Sequence, residues 1–208
     1  MANSQTIQQT YDRFSSCYDL IFSPFLESGR AKAIEELNLP RGAKVLEIGI
    51  GTGLSLDYFP KHINLTAFDY SFGMLKQSKA KTSGSNTCAT NLLQMDVEQM
   101  AFADNTFDFV IAAYVLTVVE NTEKAVEELF RVARPDAKVV LINHLRSENK
   151  ILGMIEDFFH PVFSGLGLFT LDKNLVKILK QYGAENLSIK PASFLRLHHI
   201  VSFNIPQR

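Results

Sequence analysis

The chain has 208 residues, enough for one domain with a sizeable core, and 46% of them are apolar. Its 21 Lys and Arg stand against 22 Asp and Glu, a net charge of −1, so no global basic field holds nucleic acid. Cys17 and Cys88 lie far apart without metal-ligand spacing, which reads as two reduced thiols and gives no reason to expect a metal site. The opening stretch lacks the basic and apolar regions of a signal peptide. No uncharged apolar run reaches the roughly 18–20 residues of a spanning helix, so any membrane contact is expected at the surface.

In chain order, Tyr11, Phe14, Tyr18, Ile21 and Phe22 recur at three to four residues and predict a helix. A second helix is expected over 24–39, with Pro24 at its start and Pro40 just beyond its end. Short apolar strands follow at 44–48, 64–68, 92–95, 108–113 and 138–143, separated by helical stretches, notably 71–81 and 122–133. Strands that are apolar on both faces and alternate with helices indicate a parallel sheet covered on both sides. After Asn143 the regularity weakens. Residues 158–171 carry no formal charge with His160 neutral, and contain a proline and two glycines. A helix at 172–182 and strands at 187–190 and 197–203 bring the sheet to about seven strands. The expected organisation is a single domain over 1–208, with 1–39 as a helical cap or lid and 144–185 as a substrate-side insertion.

In such a sheet, ligands sit outside the carboxyl ends of the strands. Residues 47–53 read EIGIGTG, so Gly49, Gly51 and Gly53 directly follow the first strand. The dinucleotide pattern G-x-G-x-x-G needs its third glycine one residue later, where this chain has Leu54, and the phosphate-loop pattern is absent. Glu47 precedes the turn. A carboxylate there repels a pyrophosphate and suits a cationic ligand. Asp69 ends the second strand and can accept from both hydroxyls of a ribose, a role that suits NAD equally well. Asp96 ends the third and is placed to accept from the exocyclic amine of an adenine. One such aspartate usually caps a helix or closes a turn. Three acids at three successive strand ends match a ligand with an ammonium, a sulfonium, a ribose and an adenine, which is S-adenosyl-L-methionine.

EIGIGTG, DYSFGML at 69–75 and MDVEQMAFADNTFDFVIAAYVL at 95–116 together resemble the class I S-adenosylmethionine-dependent methyltransferases, over roughly 11–143. The resemblance implies an α/β, Rossmann-like fold: a mostly parallel seven-stranded sheet with helices on both faces. It implies that Glu47, Gly49, Gly51 and Gly53 line the methionine part of the cofactor and that Asp69 binds the ribose. Tyr70 and Met74 would flank the adenine or ribose, and Asp96 and Val97 would contact the adenine. The backbone at Ala113 and Tyr114 would close the methionine end. One departure is Arg134-Pro135-Asp136-Ala137, where many relatives have Pro-Gly-Gly, which leaves the geometry of that turn open.

YDRFSSCYDLIF (11–22), GTGLSLDYFP (51–60), YVLTVVEN (114–121), LINH (141–144) and GLGLF (165–169) further resemble the bacterial phosphatidylethanolamine N-methyltransferases. Quinone-precursor C-methyltransferases share the YD…YD beginning and are the nearest alternative. A non-catalytic lipid- or partner-binding module on the same fold is a second. The lipid resemblance implies a phospholipid substrate and a cytoplasmic protein peripherally associated with the membrane, making phosphatidylcholine. Tyr11, Phe14 and Tyr18 share one helix face and are expected to form a lid. Their rings would attract an ammonium or sulfonium, and a tyrosine hydroxyl would hold the amine. Simple core packing is the alternative. His144 is a candidate for accepting the amine proton or binding the lipid phosphate, and Asn143 for orienting a substrate polar group. Arg196, His198 and His199 are candidate phosphate contacts, or else a solvated strand face. Residues 158–171 either cover the core or admit acyl chains. Arg13, Arg30, Lys32 and Lys44 form no dense basic cluster, so attraction to anionic lipid is expected to be modest.

Overall fold

The apolar runs pair into one sheet. In this computed structural model, which describes residues 29–82, 88–143, 174–192 and 198–207, the strands are β1 (Lys44–Ile48), β2 (Asn64–Asp69), β3 (Ala89–Gln94), β4 (Phe107–Ala113), β5 (Ala133–Asn143), β6 (Glu185–Pro191) and β7 (His199–Asn204). They form a seven-stranded sheet in the order β3-β2-β1-β4-β5-β7-β6. The pairs among β3, β2, β1, β4 and β5 are all parallel, and β7 runs antiparallel to both β5 and β6. Chain order runs outward from β1 to β3, then returns to β4 beside β1. That reversal opens a crevice above the ends of β1 and β4.

The helices are α1 (29–37), α2 (Phe72–Thr82), α3 (Thr122–Val132) and α4 (Leu175–Gln181). Alternate residues of the central strands feed two cores, as a sheet buried on both faces requires. One core joins Val45, Leu65, Ile111 and Ile142 to Ala33, Ile34 and Leu37 of α1 and Leu75 of α2. The other joins Leu46, Ile48, Val110 and Leu141 to Val126, Leu129 and Phe130 of α3 and Leu175 and Leu179 of α4. The cap of α3 is Asn121, whose side chain accepts from the Lys124 amide at 3.0 Å.

Several boundaries differ from those expected. Helix α1 stops at 37 rather than 39, because Asn38 takes a left-handed φ of 53°. Strand β3 spans 89–94 rather than 92–95, so Asp96 lies just beyond it in the following loop. Strand β5 starts at Ala133, not 138: Phe107 pairs with Ala133, then the register shifts and Phe109 pairs with Lys138. The skipped residues contain the open turn of the sequence reading. There Asp136 has a φ of 63°, and its amide donates to the Ile205 carbonyl at 3.0 Å. An L-residue in that conformation is strained and glycine is not, so Asp136→Gly is expected to stabilise the fold by roughly 1 kcal/mol, raising Tm by about 2 °C. Thermal unfolding measures this. A lower Tm would mean that the bond from Gln207 to the Asp136 carboxylate outweighs the strain. The helix expected over 11–22, the first part of 24–39 and most of the segment 144–185 lie outside the described residues.

Candidate active site

The glycine turn after β1 is pinned to its neighbour. The amides of Gly49 and Ile50 both donate to the Phe68 carbonyl, at 2.9 and 3.0 Å. The Asp69 carboxylate then joins the glycine turn to the start of α2: Oδ2 accepts from the Gly51 amide at 2.8 Å and Oδ1 from the Ser71 amide at 2.9 Å. Gly51 has a φ of 58°, and a Cβ built there would meet nothing within 4 Å. The residue is glycine for its backbone conformation, and it leaves clear space on the cleft side. Gly53 differs. A Cβ there would lie 2.9 Å from Ser78 Cβ and 3.1 Å from Ser78 Cα, so this glycine lets the turn press against α2. It performs the close-packing task of the third glycine in a dinucleotide turn, one residue early.

Above the turn lies a cleft open to solvent. Of the residues expected to contact the cofactor, Gly49, Gly51, Asp69, Tyr70, Met74, Asp96, Val97, Ala113 and Tyr114 line it, together with Arg30 and Glu98. Gly53 and Glu47 are not in its lining. Glu47 is buried, 1% exposed, on the α1 side of the sheet, and its Oε2 makes no hydrogen bond. Burial pushes its carboxyl up to about 7. The Ser55 hydroxyl and Arg30 oppose this, and the Asp69 charge adds to it. Such a carboxylate is poised to be stabilised by a cation.

Asp96 lines the cleft, but its Oδ1 already accepts from the Glu98 amide at 2.8 Å, closing a turn. The loop that carries it is tied to α3. Arg131 donates to the carbonyls of Met100 and Phe102, both at 2.7 Å, and pairs with Glu128 and Asp104. The bond from Arg131 holds the Glu128 carboxyl below its ordinary range, so this strap persists at neutral pH.

Tyr114 directly follows β4 with a φ of 64°, a conformation uncommon for an aromatic residue and concentrated at functional sites. Its amide donates to the Ile142 carbonyl at 2.7 Å. The Arg30 guanidinium carbon lies 5.2 Å from its ring centroid, and the His198 ring meets it edge-on with centroids 5.2 Å apart. His198 is 6% exposed. Burial, then the charges of His199 and Arg30, lowers its pKa to about 4. It is therefore neutral at physiological pH, and its burial departs from the solvated-face alternative. His199 pairs with Asn143 across β5 and β7. Asn143 is fully buried with both side-chain polar atoms unbonded, and it is not part of the cleft lining. Tyr11, Tyr18, His144 and Arg196 lie outside the described residues.

Arg30 lines the cleft, a placement that the sequence reading missed. A signal was available: Arg30 shares the i, i+3, i+4, i+7 stripe with Ala33, Ile34 and Leu37, which makes it a lone cation on an apolar helix face.

The unbonded oxygen of Glu47, the space before Gly51 and the Asp69 carboxylate fit a ligand that carries an ammonium and a ribose. The methyltransferase-domain family model matches residues 46–141, a span that supplies every residue of the cleft lining except Arg30. With that match, this strand order and a curated methyltransferase 34% identical over 72% of the chain, the chain belongs to the class I S-adenosylmethionine-dependent methyltransferases, with S-adenosylmethionine as methyl donor. Among curated proteins it is similar to phosphatidylethanolamine N-methyltransferase of Cereibacter sphaeroides, 34% identical over 151 residues, covering 72% of this chain and 73% of that protein. It is also similar to demethylmenaquinone methyltransferase of Thermobifida fusca, 28% identical over 137 residues, covering 63% of this chain and 58% of that protein. Among solved structures, phosphoethanolamine N-methyltransferase 2 of Haemonchus contortus in complex with S-adenosyl-L-methionine superposes with a TM-score of 0.75 at 14% identity, covering 94% of this chain and 57% of that one. At that identity the likeness is one of fold.

Proposed function

We propose that this methyltransferase acts on the headgroup amine of phosphatidylethanolamine, and on its mono- and dimethyl derivatives, at a membrane surface, towards phosphatidylcholine. The likeness to the Cereibacter sphaeroides enzyme carries this reading, because its identity and its coverage of both chains exceed those of the Thermobifida fusca quinone-precursor enzyme. No helix among the described residues is long and apolar enough to cross a membrane, which agrees with peripheral association.

When bound, S-adenosylmethionine supplies a methyl group on a sulfonium, open to attack by a nitrogen lone pair. In this reading Glu47, the glycine turn and Asp69 fix the donor end, and much of the rate comes from alignment with the incoming amine. A protonated headgroup amine has no lone pair, so a group on the acceptor side has to take its proton. His144 is the candidate for this task, with Tyr11 and Tyr18 holding the amine in line. Asn143, His198, His199 and Arg196 remain the candidates for polar contacts to the headgroup, and 158–171 for acyl-chain contact.

The test uses purified protein, liposomes containing phosphatidylethanolamine and isotopically labelled S-adenosylmethionine, with lipids resolved by mass. Label in mono-, di- or trimethylated headgroups is the expected result. Label absent from lipid but present in a quinone precursor, with cofactor binding intact, would transfer the assignment to carbon methylation.

A further inference from the structure

Among the described residues three large apolar side chains are exposed, and Phe72 is the most exposed of them at 63%. It opens α2, a helix that buries Met74, Leu75 and Ser78. Phe72, Lys76 and Lys79 stand at i, i+4 and i+7 on one stripe of that helix, and all three are exposed. With Lys81, residues 72–82 hold three lysines and no acid, on a chain whose net charge is −1. Folding gains little from a phenylalanine left in water, since apolar area stabilises only when it is removed from water.

The position of Phe72 is fixed relative to the cleft. Tyr70, Ser71 and Met74 line the cleft, and Phe72 between them does not. The Ser71 amide donates to Asp69 Oδ1 at 2.9 Å, and the Ser71 hydroxyl accepts from the Met74 amide at 3.1 Å, so the first turn of α2 is held against the rim. The edge strand β3 meets the same rim: the Gln94 side chain donates to the Tyr70 carbonyl at 3.1 Å, and Leu93 next to it is 38% exposed. The other side of the mouth carries the opposite charge. Glu98 and Glu120 line the cleft on the α3 side, where Glu98 accepts from the amide of Asn121, the cap of α3. An anionic surface is attracted to the α2 side and repelled from the α3 side, so this charge distribution orients the protein as well as binding it.

We propose that the Phe72, Lys76 and Lys79 face of α2 is the surface that docks on a bilayer containing anionic lipid, with Phe72 entering the interface and the lysines meeting headgroups. The inference rests on the lipid reading above and adds where the membrane sits: against the rim at the α2 side of the cleft.

The experiment is flotation of the full chain with vesicles of phosphatidylethanolamine and phosphatidylcholine, with and without phosphatidylglycerol, in the absence of S-adenosylmethionine. Wild-type protein is expected to bind the vesicles that contain phosphatidylglycerol. Phe72→Ser should lower that partition about 10-fold. Lys76→Gln combined with Lys79→Gln should lower it about 30-fold, an effect that vanishes without phosphatidylglycerol or at high salt. Ile189→Ser removes the exposed apolar residue of β6, at the opposite edge of the sheet, and should leave binding unchanged. The substituted side chains are exposed and outside the cleft lining, so affinity for S-adenosylhomocysteine by calorimetry should stay at the wild-type value and reports that each variant folds. Vesicle binding that ignores both Phe72→Ser and the double lysine variant overturns the proposal, as does no vesicle binding by wild-type protein. A wild-type dimer that Phe72→Ser dissociates in sedimentation overturns it too, and gives the face to a second copy. Flotation involves no methyl transfer, so failure of the lipid assay above would leave these ratios unchanged.

Discussion

Replacing Glu47 by glutamine is expected to weaken cofactor binding by about 10- to 100-fold while making the empty protein more stable at pH 8. Both effects follow from one buried carboxyl. Its folded-state pKa of about 7 lies above its ordinary 4.5. The unfolded chain therefore releases this proton first. The group has no stability effect below 4.5, destabilises the fold increasingly between 4.5 and 7, and keeps the full penalty above 7, about 3 kcal/mol. Glutamine carries no charge and escapes that penalty, although its buried amide gives back part of the gain. Thermal unfolding without ligand should therefore show Glu47→Gln several degrees above wild type at pH 8 and level with it near pH 4. Binding runs the other way. An ammonium needs the ionised carboxylate, so wild-type affinity should fall about tenfold from pH 8 to pH 6, and the variant should show no such slope. A wild-type affinity that is flat across this range would remove Glu47 from the binding site.

Asp69→Ala is expected to cost about 100-fold in cofactor affinity. The carboxylate bonds the Gly51 and Ser71 amides, so its loss loosens both the glycine turn and the start of α2. It is also the proposed acceptor for the ribose hydroxyls. These two contributions separate with S-adenosylhomocysteine and its 2′-deoxy analogue. If Asp69 only held the loop, the variant would lose affinity for both ligands in the same ratio. If it binds the ribose, wild-type protein prefers the 2′-hydroxyl and Asp69→Ala does not. The second pattern is the expected one, read by calorimetry.

What could be read from the sequence followed from strong local signals. Doubly apolar strands alternating with helices, a glycine turn and acids at the strand ends carried the fold class and most of the cleft. The start of β5 was hidden because Pro135 and Asp136 read as a turn, whereas they form an irregularity inside a strand that pairs on both sides of them. Arg30 and Glu47 were separated by 16 intervening residues, and only the packing of α1 on β1 brings their charges together. His198 read as a surface histidine because nothing in its neighbours along the chain indicates burial. Tertiary contact with Tyr114 and the sheet decides that. The place of β7 between β5 and β6 has no local signature either, since strand pairing depends on partners distant in the chain.

That strand order has a consequence for assembly. Among the described strands, β6 touches the sheet only through β7, which follows it in the chain. The parallel half, with the crevice between β1 and β4, completes its pairing without either of them. The hairpin must then arrive with its second strand leading, and until β7 docks, the outer side of β5 is an open template for a strand from another molecule. Damage to β7 therefore detaches two strands and uncovers a third, whereas damage of the same kind to β6 trims one edge.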